Sequence, residues 1–309
     1  MILTVTFNPA IDKTIKLSGL KVNEVNRVNY SRSDAGGKGI NVSKTIKELN
    51  GESIALGFVG GKSGETILEY LNEAGIKNDF IRIFGETRTN IKVVDTVNST
   101  FTDINENGPA VTADKVAALK SKLEGYLQEG TIVVLSGSIP AGVSDTIYKE
   151  IIELVNKAKA RVILDADRKL FLEGIKAGPF MVKPNIDELE MAFNKVIKDE
   201  ADLIETAKSL LSYGIKYVVV SLGGEGSMVV SEDKIIKAKG MKVQVKSTVG
   251  AGDSMVGALA SALERGWDME KALRFAAATS TATVMTEGSQ SGRLEDIEAL
   301  IEKIEISYL

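Results

Sequence analysis

The sequence predicts an α/β layer fold with a mostly parallel central sheet, and two observations support it. Short runs rich in Val, Ile and Leu recur along the chain, as strands buried on both faces of a parallel sheet require. Amphipathic stretches with helical spacing lie between them, and this alternation is typical of βα units. The expected strands are residues 3–7, 53–59, 131–136, 161–165, 180–183 and 217–221. The expected intervening helices are 40–50, 63–74, 112–129, 145–159 and 200–213.

The helical last third of the chain and two pairs of short segments lie outside this alternation. The last third of the chain reads as helical over residues 252–265, 269–286 and 294–304. Short, polar, β-prone segments occur in pairs, at 13–17 with 27–33 and at 89–95 with 100–105, and Asn98-Ser99 is the expected turn of the second pair. Because no helix separates the segments, we expect an antiparallel sheet that projects from the main domain. An ordinary edge hairpin is the alternative.

Composition excludes several functional classes. The 309 residues are 44% hydrophobic and 26% charged, as in ordinary globular proteins. The 38 basic and 42 acidic residues are mixed along the chain, so no nucleic-acid partner is expected. No apolar run reaches membrane-spanning length and the first residues lack a signal-peptide pattern, so a cytoplasmic protein is expected. The chain has no His and no Cys, which excludes catalytic triads, thiol nucleophiles and Cys/His zinc sites.

A glycine turn near the C-terminus carries the strongest chemical signal. Gly250, Ala251, Gly252 and Asp253 precede a run of small residues with helical character. Glycines let backbone N–H groups turn toward an anion, and a helix N-terminus adds about half a positive charge. A carboxylate there is placed to take a proton from a hydroxyl that attacks a bound phosphate. The segment therefore indicates phosphoryl transfer from a nucleotide to an alcohol, with a plain strand–helix connection as the alternative.

A second glycine loop and a nearby carboxylate indicate an acceptor site. Residues 36–41 read Gly-Gly-Lys-Gly-Ile-Asn and enter a helix, so Lys38 and Asn41 would lie one turn apart on the same side. Both side chains can bind sugar hydroxyls or an anion. Asp12 follows the first expected strand, at the edge where open α/β sheets bind ligands. For the loop, the alternative is a flexible turn with a solvated lysine. For Asp12, the alternative is a surface aspartate in a turn.

Two further strand ends are candidates for nucleotide and metal contacts. Lys183 ends a strand, and Asn185 and Glu188 follow it with the spacing of a helix capping box. The same Asn and Glu could hold a hydrated Mg²⁺, which takes few protein ligands. Residues 221–226 contain three glycines, which suit either a backbone nest around a nucleotide phosphate or a hairpin into the next strand.

Weaker candidates lie in or beside the projecting sheet and at one more strand end. Arg27 and Arg88 could bind phosphate through their planar forks, although each alone would usually be a solvated surface residue. Residues 136–140, which include Ser138, end a strand with small side chains.

Taken together, these segments resemble the PfkB or ribokinase family of sugar kinases over nearly the whole chain. The loop at 36–41 and the turn at 250–253 match the family's two signatures, in the right order and about 210 residues apart. The segments Thr-Phe-Asn-Pro-Ala-Ile-Asp, Gly-Gly-Lys-Gly-Ile-Asn-Val and Gly-Ser-Ile-Pro look most like the branch that phosphorylates sugar phosphates.

The resemblance implies a ribokinase-like three-layer α/β/α sandwich, one kinase domain over residues 1–309, and a small β-sheet lid from segments near 12–34 and 86–107. It implies Asp253 as catalytic base, with Gly250, Ala251 and Gly252 forming an anion hole. The residues expected to bind the sugar phosphate are Asp12, Arg27, Gly37, Lys38, Asn41, Arg88 and Ser138, the two arginines holding its phosphate. Those expected to bind ATP are Lys183, Asn185, Ser221, Gly223, Gly224 and Gly226. Glu188 would support Mg²⁺ through water.

The implied reaction transfers the γ-phosphoryl group of ATP to the C6 hydroxyl of fructose 1-phosphate. Tagatose 6-phosphate is the nearest alternative substrate, and fructose 6-phosphate, ribose and adenosine are more distant. A non-catalytic sugar-phosphate sensor is an alternative of another class, which the intact glycine loops and Asp253 disfavour. A dehydrogenase is disfavoured because no G-x-G-x-x-G follows a strand. Lids of this family often pair, so a homodimer through the lid is a further expectation that no single residue decides.

Overall fold

A computed structural model describes residues 1–166, 168–288 and 290–309. The strands of this part of the chain form a large sheet and a separate small sheet. The large sheet contains β1 (Ile2–Thr6), β4 (Ser53–Val59), β5 (Lys77–Asn78), β6 (Ile81–Arg82), β9 (Ile132–Ser136), β10 (Arg161–Asp165), β11 (Met181–Val182), β12 (Tyr217–Ser221), β13 (Gly226–Val230), β14 (Ile235–Lys239) and β15 (Ile306–Tyr308). The small sheet contains β2 (Ala10–Leu17), β3 (Tyr30–Gly36), β7 (Arg88–Asp95) and β8 (Thr100–Asn105).

The helices connect and cover these strands. They are α1 (Lys38–Glu48), α2 (Gly61–Glu73), α3 (Ala113–Tyr126), α4 (Ile147–Lys157), α5 (Arg168–Ile175), α6 (Ile186–Phe193), α7 (Glu200–Leu211), α8 (Ala251–Glu264), α9 (Met269–Val284) and α10 (Leu294–Ile301). Within the described residues, no helix combines the length and the apolar character that crossing a membrane would need.

The large sheet is parallel through its centre. Its order is β15-β14-β13-β12-β11-β10-β9-β1-β4-β5, with β6 also paired to β4. All neighbours from β12 to β5 run parallel, while β12 to β15 form an antiparallel edge. The prediction of a mostly parallel central sheet is therefore confirmed for its central strands.

Successive residues of the central strands enter two different cores, one on each face of the sheet. In β9, Val133 and Leu135 belong to one cluster, while Ile132 and Val134 belong to the other. The first cluster contains side chains of α3, α4, α5, α6 and α7, and the second contains those of α1, α8, α9 and α10. This arrangement is a three-layer α/β/α sandwich, as expected.

The small sheet differs from its expected form in the position of one strand and in the direction of one strand pair. Its order is β3-β2-β7-β8. Strand β2 extends the expected segment 13–17 to residues 10–17, and β3 at 30–36 lies three residues later than the expected 27–33. The outer pairs are antiparallel as predicted, but β2 and β7 pair in parallel. Whether strands from two distant chain segments pair in parallel depends on how the main domain positions them. The alternation of hydrophobic and polar residues carries no information about that direction.

The elements that the sequence did not predict include α5, β14 and β15. Helix α5 follows β10, and strands β14 and β15 extend the edge of the large sheet. Each is short, from three to eight residues, so its hydrophobic period is weak. The expected helix over 294–304 ends at Ile301, because the chain then turns into β15.

Candidate active site

The site forms where the carboxyl ends of the parallel strands meet. Asp165 ends β10, Lys183 follows β11 and Ser221 ends β12. An isolated parallel bridge joins Asn185 to Ser221 and continues the sheet one step beyond these strands. The N-termini of α1 and α8, together with the small sheet, supply the remaining walls. Open α/β sheets bind ligands at this edge.

A cavity of about 470 Å³ gathers most of the predicted residues, and we call it the catalytic cleft. The predicted residues that line it are Asp12, Gly37, Lys38, Asn41, Arg88, Lys183, Asn185, Glu188, Ser221, Gly250, Gly252 and Asp253. They come from elements spread over the whole chain, so the fold brings the two glycine loops and the first strand end together.

A second cavity of about 530 Å³ adjoins the catalytic cleft. The two share Asn185, Ser221 and Gly252. The predicted residues Gly223, Gly224, Gly226 and Ala251 line this second cavity, together with the apolar side chains of Val243, Val245, Met255, Ala277 and Val284. Residues 221–226 form the predicted hairpin, through a 3₁₀ turn at Gly223–Glu225 that leads into β13. A polar cleft is thus continuous with an apolar pocket.

Asp253 is buried in the first turn of α8, where it lines the catalytic cleft. Gly250 precedes the helix with a φ of 80°, a backbone conformation that favours glycine. Asn41 Nδ2 donates to Asp253 Oδ2 at 2.8 Å. Burial, followed by the neighbouring carboxylate of Asp165, raises the pKa of Asp253 to about 6, although Lys38 and Asn41 act in the opposite direction. A carboxylate with this pKa is suited to accept a proton near neutral pH.

Asp165 pairs with two lysines at the floor of the cleft. Its carboxylate lies 3.3 Å from Lys183 Nζ and 3.5 Å from Lys38 Nζ. Burial opposes ionisation of Asp165, but Lys183 and then Lys38 hold its pKa below the ordinary value. Lys183 is itself buried, and its Nζ lies 3.4 Å from where a Cβ on Gly252 would be. The ammonium group therefore sits beside the glycine turn, where both could face the same anion.

Asp12 is held by the small sheet and by the second glycine loop. Asn90 Nδ2 donates to Asp12 Oδ1 at 2.9 Å from the neighbouring strand β7. A Cβ on Gly36 would lie 1.9 Å from Asp12 Oδ2, so the carboxylate can occupy this place only because residue 36 is glycine. Burial raises the pKa of Asp12, against the Asn90 hydrogen bond and the charges of Lys44 and Arg88.

The small sheet presents polar rows to the cleft. Asp12, Asn90 and Asn105 are in register, as are Thr14, Lys92 and Asp103 in the next row, and all six line the cavity. Arg88 begins β7 and donates to the carbonyls of Glu106 and Asn8 at 3.0 and 3.1 Å. Arg88 therefore both lines the cleft and ties together the two chain segments at its mouth.

Asn185 and Glu188 form the predicted capping box. Asn185 Oδ1 accepts from the Glu188 N–H at 2.7 Å, and Glu188 Oε2 accepts from the Asn185 N–H at 2.9 Å. Both residues also line the catalytic cleft, so capping and exposure to the cleft coexist. Burial raises the pKa of Glu188, despite the hydrogen bond from Asn185.

Two predicted residues lie outside both cavities. Arg27 is exposed in the loop between β2 and β3, and Ser138 is exposed after β9. Conversely, Asp165, Asn90 and Lys92 were missed as site residues. An acidic residue at the end of a buried strand is a usable signal for Asp165, whereas Asn90 and Lys92 are identified only by the pairing of the small sheet.

Comparison with known proteins identifies the family of this chain. The family model described as pfkB family carbohydrate kinase matches residues 5–297. A 1-phosphofructokinase from Borreliella burgdorferi is 36% identical over 286 residues, which cover 92% of each chain. A 1-phosphofructokinase from Bacillus subtilis is 33% identical over the full length of both proteins.

A solved structure extends the similarity to the fold. Phosphofructokinase-2 from Escherichia coli, in complex with substrates and products, superposes with a TM-score of 0.94 at 28% identity, covering 98% of this chain and 99% of that one. The chain belongs to the pfkB family of carbohydrate kinases.

Proposed function

We propose that this protein is an ATP-dependent 1-phosphofructokinase, which transfers the γ-phosphoryl group of ATP to the C6 hydroxyl of fructose 1-phosphate. The relatives named 1-phosphofructokinase are 31–37% identical and support this substrate. The observation that carries the proposal is the position of Asp253, a buried carboxylate in the catalytic cleft at the N-terminus of α8.

Asp253 acts as general base in this proposal. The C6 hydroxyl gives its proton to the carboxylate as its oxygen forms a bond to the γ-phosphorus, and the bond from that phosphorus to the bridging oxygen of ADP breaks. General-base catalysis contributes about 10²–10⁴ in rate. In the first turn of α8, the Ala251 and Ser254 N–H groups donate to the carbonyls of Thr248 and Gly250. The N–H groups of Gly252 and Asp253 lie at positions without an acceptor inside the helix and can donate to the transferring phosphoryl oxygens.

The apolar cavity beside the cleft would take the adenosine part of ATP. Its walls offer Val243, Val245 and Val284 to an adenine ring. The shared residues Asn185, Ser221 and Gly252 lie where the triphosphate would pass into the catalytic cleft. Lys183, beside Gly252, would then balance phosphate charge in a transition state that spreads negative charge over several oxygens.

The sugar would lie against the small sheet, which we propose acts as a lid. Asp12 and Asn41 offer acceptors and donors to its hydroxyls, and Lys38 and Arg88 offer positive charge. The exposed Arg27 and Ser138 would need to approach the cleft to contribute, so we assign the substrate phosphate first to Arg88. Closure of the lid would exclude water and limit ATP hydrolysis.

The polar groups beside the cleft fit a hydrated Mg²⁺. One oxygen of Glu188 receives the Asn185 N–H, which leaves the other available to a metal-bound water. Mg²⁺ keeps several of its waters and needs few protein ligands, so a contact through water suits it. The ion would supply positive charge to the β- and γ-phosphates when bound.

A coupled assay of ADP formation tests the proposal. Fructose 1-phosphate, tagatose 6-phosphate and fructose 6-phosphate are compared at equal concentration with saturating MgATP, and kcat/KM is expected to be highest for fructose 1-phosphate. A higher value for tagatose 6-phosphate would transfer the assignment to that substrate. The absence of sugar-dependent ADP formation with all three, while the protein still binds them, would favour a sensor.

We further propose that two copies associate through the lid. The residues that the structure describes include sixteen exposed large hydrophobic side chains, and eight of these lie within residues 10–36 and 88–105. They are Leu20, Val22, Val25, Val28, Tyr30, Val97, Phe101 and Ile104. Apolar exposure concentrated in so small a part of the surface indicates an interaction site. Sedimentation equilibrium is expected to give a dimer for the wild type and a monomer for Phe101→Lys; a monomeric wild type would contradict it.

A further inference from the structure

A third cavity, of about 690 Å³, lies outside the catalytic cleft, and we call it the distal cavity. It is bounded by β3, by the C-terminal parts of α1 and α2, and by the segment that leads into α10. None of its lining residues lines the cleft or the apolar cavity beside it. The reaction proposed above therefore does not use it.

The lining of the distal cavity carries more positive than negative charge. Its cationic residues are Arg32, Lys44, Lys47 and Arg293, and its carboxylates are Asp34 and Glu48. Both carboxylates already have partners. Asp34 Oδ1 accepts from Arg32 Nε at 2.9 Å and Nη2 at 2.7 Å, and Glu48 Oε1 accepts from the Leu294 N–H at 3.1 Å.

The cations divide into engaged and available groups. Arg32 is held by Asp34, and Gln290, with its amide oxygen turned to the guanidinium, accepts from it as well. Lys44 donates to the Ala35 carbonyl and lies over the Tyr70 ring at 4.9 Å. Lys47 and Arg293 are exposed and form no ion pair with the described residues. Two cations, Lys47 and Arg293, are thus left to face a ligand.

The helix ends at this cavity do not cancel that charge. C-terminal ends carry partial negative charge through unbonded carbonyls. At the end of α1, Ile46 O accepts from the Gly51 N–H at 2.8 Å, and Leu49 O accepts from Arg265 Nη2 at 2.8 Å. At the end of α2, Leu71 O accepts from the Ile76 N–H at 2.8 Å. These acceptors are engaged, so the exposed charge of the cavity is that of its lysines and arginines.

We propose that the distal cavity binds a phosphate-bearing small molecule and that its occupancy is felt at the sugar end of the cleft. Phosphate oxygens suit a site with an arginine fork and lysine ammonium groups. Helix α1 joins the two sites, since Lys38 and Asn41 near its start line the cleft while Lys44 and Lys47 line the distal cavity.

Lys44 connects the two sites electrostatically. Burial lowers its pKa, and the carboxylates of Asp34 and Asp12 oppose that effect. Asp34 and Asp12 are opposite one another in the register of β2 and β3. An anion in the distal cavity would attract the ammonium group of Lys44, whose charge also acts on Asp12. The site would therefore change the affinity for sugar more than the rate of the chemical step.

Inorganic pyrophosphate is the probe for binding. The wild type is treated briefly with an amine-acetylating reagent, with and without pyrophosphate, and the modification of each lysine is measured by mass spectrometry. Pyrophosphate is expected to protect Lys47 but not Lys208 or Lys303, which lie on exposed surface elsewhere. In Arg293→Gln, half-maximal protection of Lys47 should require about tenfold more pyrophosphate, as loss of one charge-assisted contact implies. Unprotected Lys47, or protection equal in Arg293→Gln, would overturn the site.

Kinetic measurements test the effect of the distal cavity on the cleft separately from binding and from the proposed function. With free Mg²⁺ held constant, pyrophosphate should change the KM for fructose 1-phosphate in the wild type, and Arg293→Gln should abolish that change while its basal activity stays intact. An identical response in both proteins would overturn the link to the cleft. Replacing pyrophosphate with ADP or a sugar bisphosphate in the protection assay identifies which carrier of phosphate is preferred. If no sugar is phosphorylated at all, the protection assay still decides the binding site.

Discussion

Asn41 Nδ2 donates a hydrogen bond to Asp253 Oδ2 at 2.8 Å, which joins the first turn of α1 to the first turn of α8 across the catalytic cleft. The two residues belong to the two glycine loops of the sequence. A hydrogen bond of this kind favours the ionised carboxylate and fixes its direction. The same amide therefore tunes the proposed base and lines the proposed sugar site.

Replacing Asn41 with Ala should move the acidic limb of the pH–rate profile to higher pH. The donor lowers the pKa of Asp253, so its loss lets burial raise that pKa further above 6. The measurement is kcat/KM across the acidic and neutral range, with Asn156→Ala on α4 as the control. An unshifted limb with Asn41→Ala would mean that another group controls the acidic side of the profile.

Asp253→Asn should lower turnover and raise stability at neutral pH. The turnover loss is expected to be about 10²–10⁴-fold, with ATP affinity nearly unchanged. The pKa of Asp253 is raised in the folded state, so the native protein binds its proton more tightly, and ionisation costs stability as the pH rises from about 4 to 6. The Asn variant should therefore be more stable at pH 7 by on the order of 1–3 kcal/mol.

Two measurements check this pair of effects. Urea unfolding at neutral pH and near pH 4 should show the stability difference at the higher pH and its loss at the lower. Steady-state assays give the turnover. A variant with unchanged turnover would remove Asp253 from the role of base, whatever its stability.

The sequence predicted most of the fold because the central strands and long helices bury continuous or periodic apolar faces. β4, β10 and β12 have the expected bounds. The parallel pairing of β2 with β7 could not be predicted, since two distant segments are aligned only by the domain that holds them. A short strand such as β15 is stabilised by pairing with β14 at the edge of the large sheet, so its own residues give little signal.

The cleft was predicted where a local motif coincides with the edge of the sheet. The turn at 250–253 and the loop at 36–41 combine glycine geometry with a helix start, and both reach the cleft. Asp165 has no such motif, and its importance comes from two lysines that approach it from other elements. Arg27 was predicted from its position beside the projecting sheet and from the family resemblance, and it lies in an exposed loop.

Asp165→Asn should shift the acidic limb in the direction opposite to Asn41→Ala. The Asp165 carboxylate raises the pKa of Asp253, so its neutralisation should lower that pKa and extend activity to lower pH. The variant also leaves Lys183 buried without its charge partner, which should destabilise the protein by roughly 3 kcal/mol or more at pH 7.

The pH dependence of that stability loss has a definite sign. The pKa of Asp165 is lowered in the folded state, so the stabilisation is present above the ordinary pKa of aspartate and disappears as the pH falls through the lowered value. Unfolding experiments should therefore find the wild type and Asp165→Asn converging at strongly acidic pH. A constant difference at all pH values would point to packing rather than charge.

Gly36→Ala should weaken sugar binding without affecting ATP. The added Cβ would lie 1.9 Å from Asp12 Oδ2, so the carboxylate must leave its position beside Asn90. The KM for fructose 1-phosphate should rise while the KM for ATP stays unchanged. Gly125→Ala is the matched control, since nothing lies within 4 Å of its added Cβ. Equal kinetics for Gly36→Ala and Gly125→Ala would show that Asp12 is not needed in its observed place.

Arg88→Ala should discriminate against phosphorylated sugar. Arg88 lines the cleft and is the arginine of the predicted pair that reaches it. Loss of charge-assisted hydrogen bonds to a phosphate should raise the KM for fructose 1-phosphate by roughly 10–100-fold. The slow turnover of free fructose should change by about twofold or less, because free fructose carries no phosphate group for Arg88 to bind. The exposed Arg82→Ala on β6, where Arg82 pairs with Glu65, controls for the loss of an arginine outside the cleft. Because Arg88 also bonds the carbonyls of Asn8 and Glu106, a thermal melt accompanies the assay. An equal loss with both sugars would assign Arg88 to holding these two segments together and would leave the substrate phosphate to another cation of the cleft.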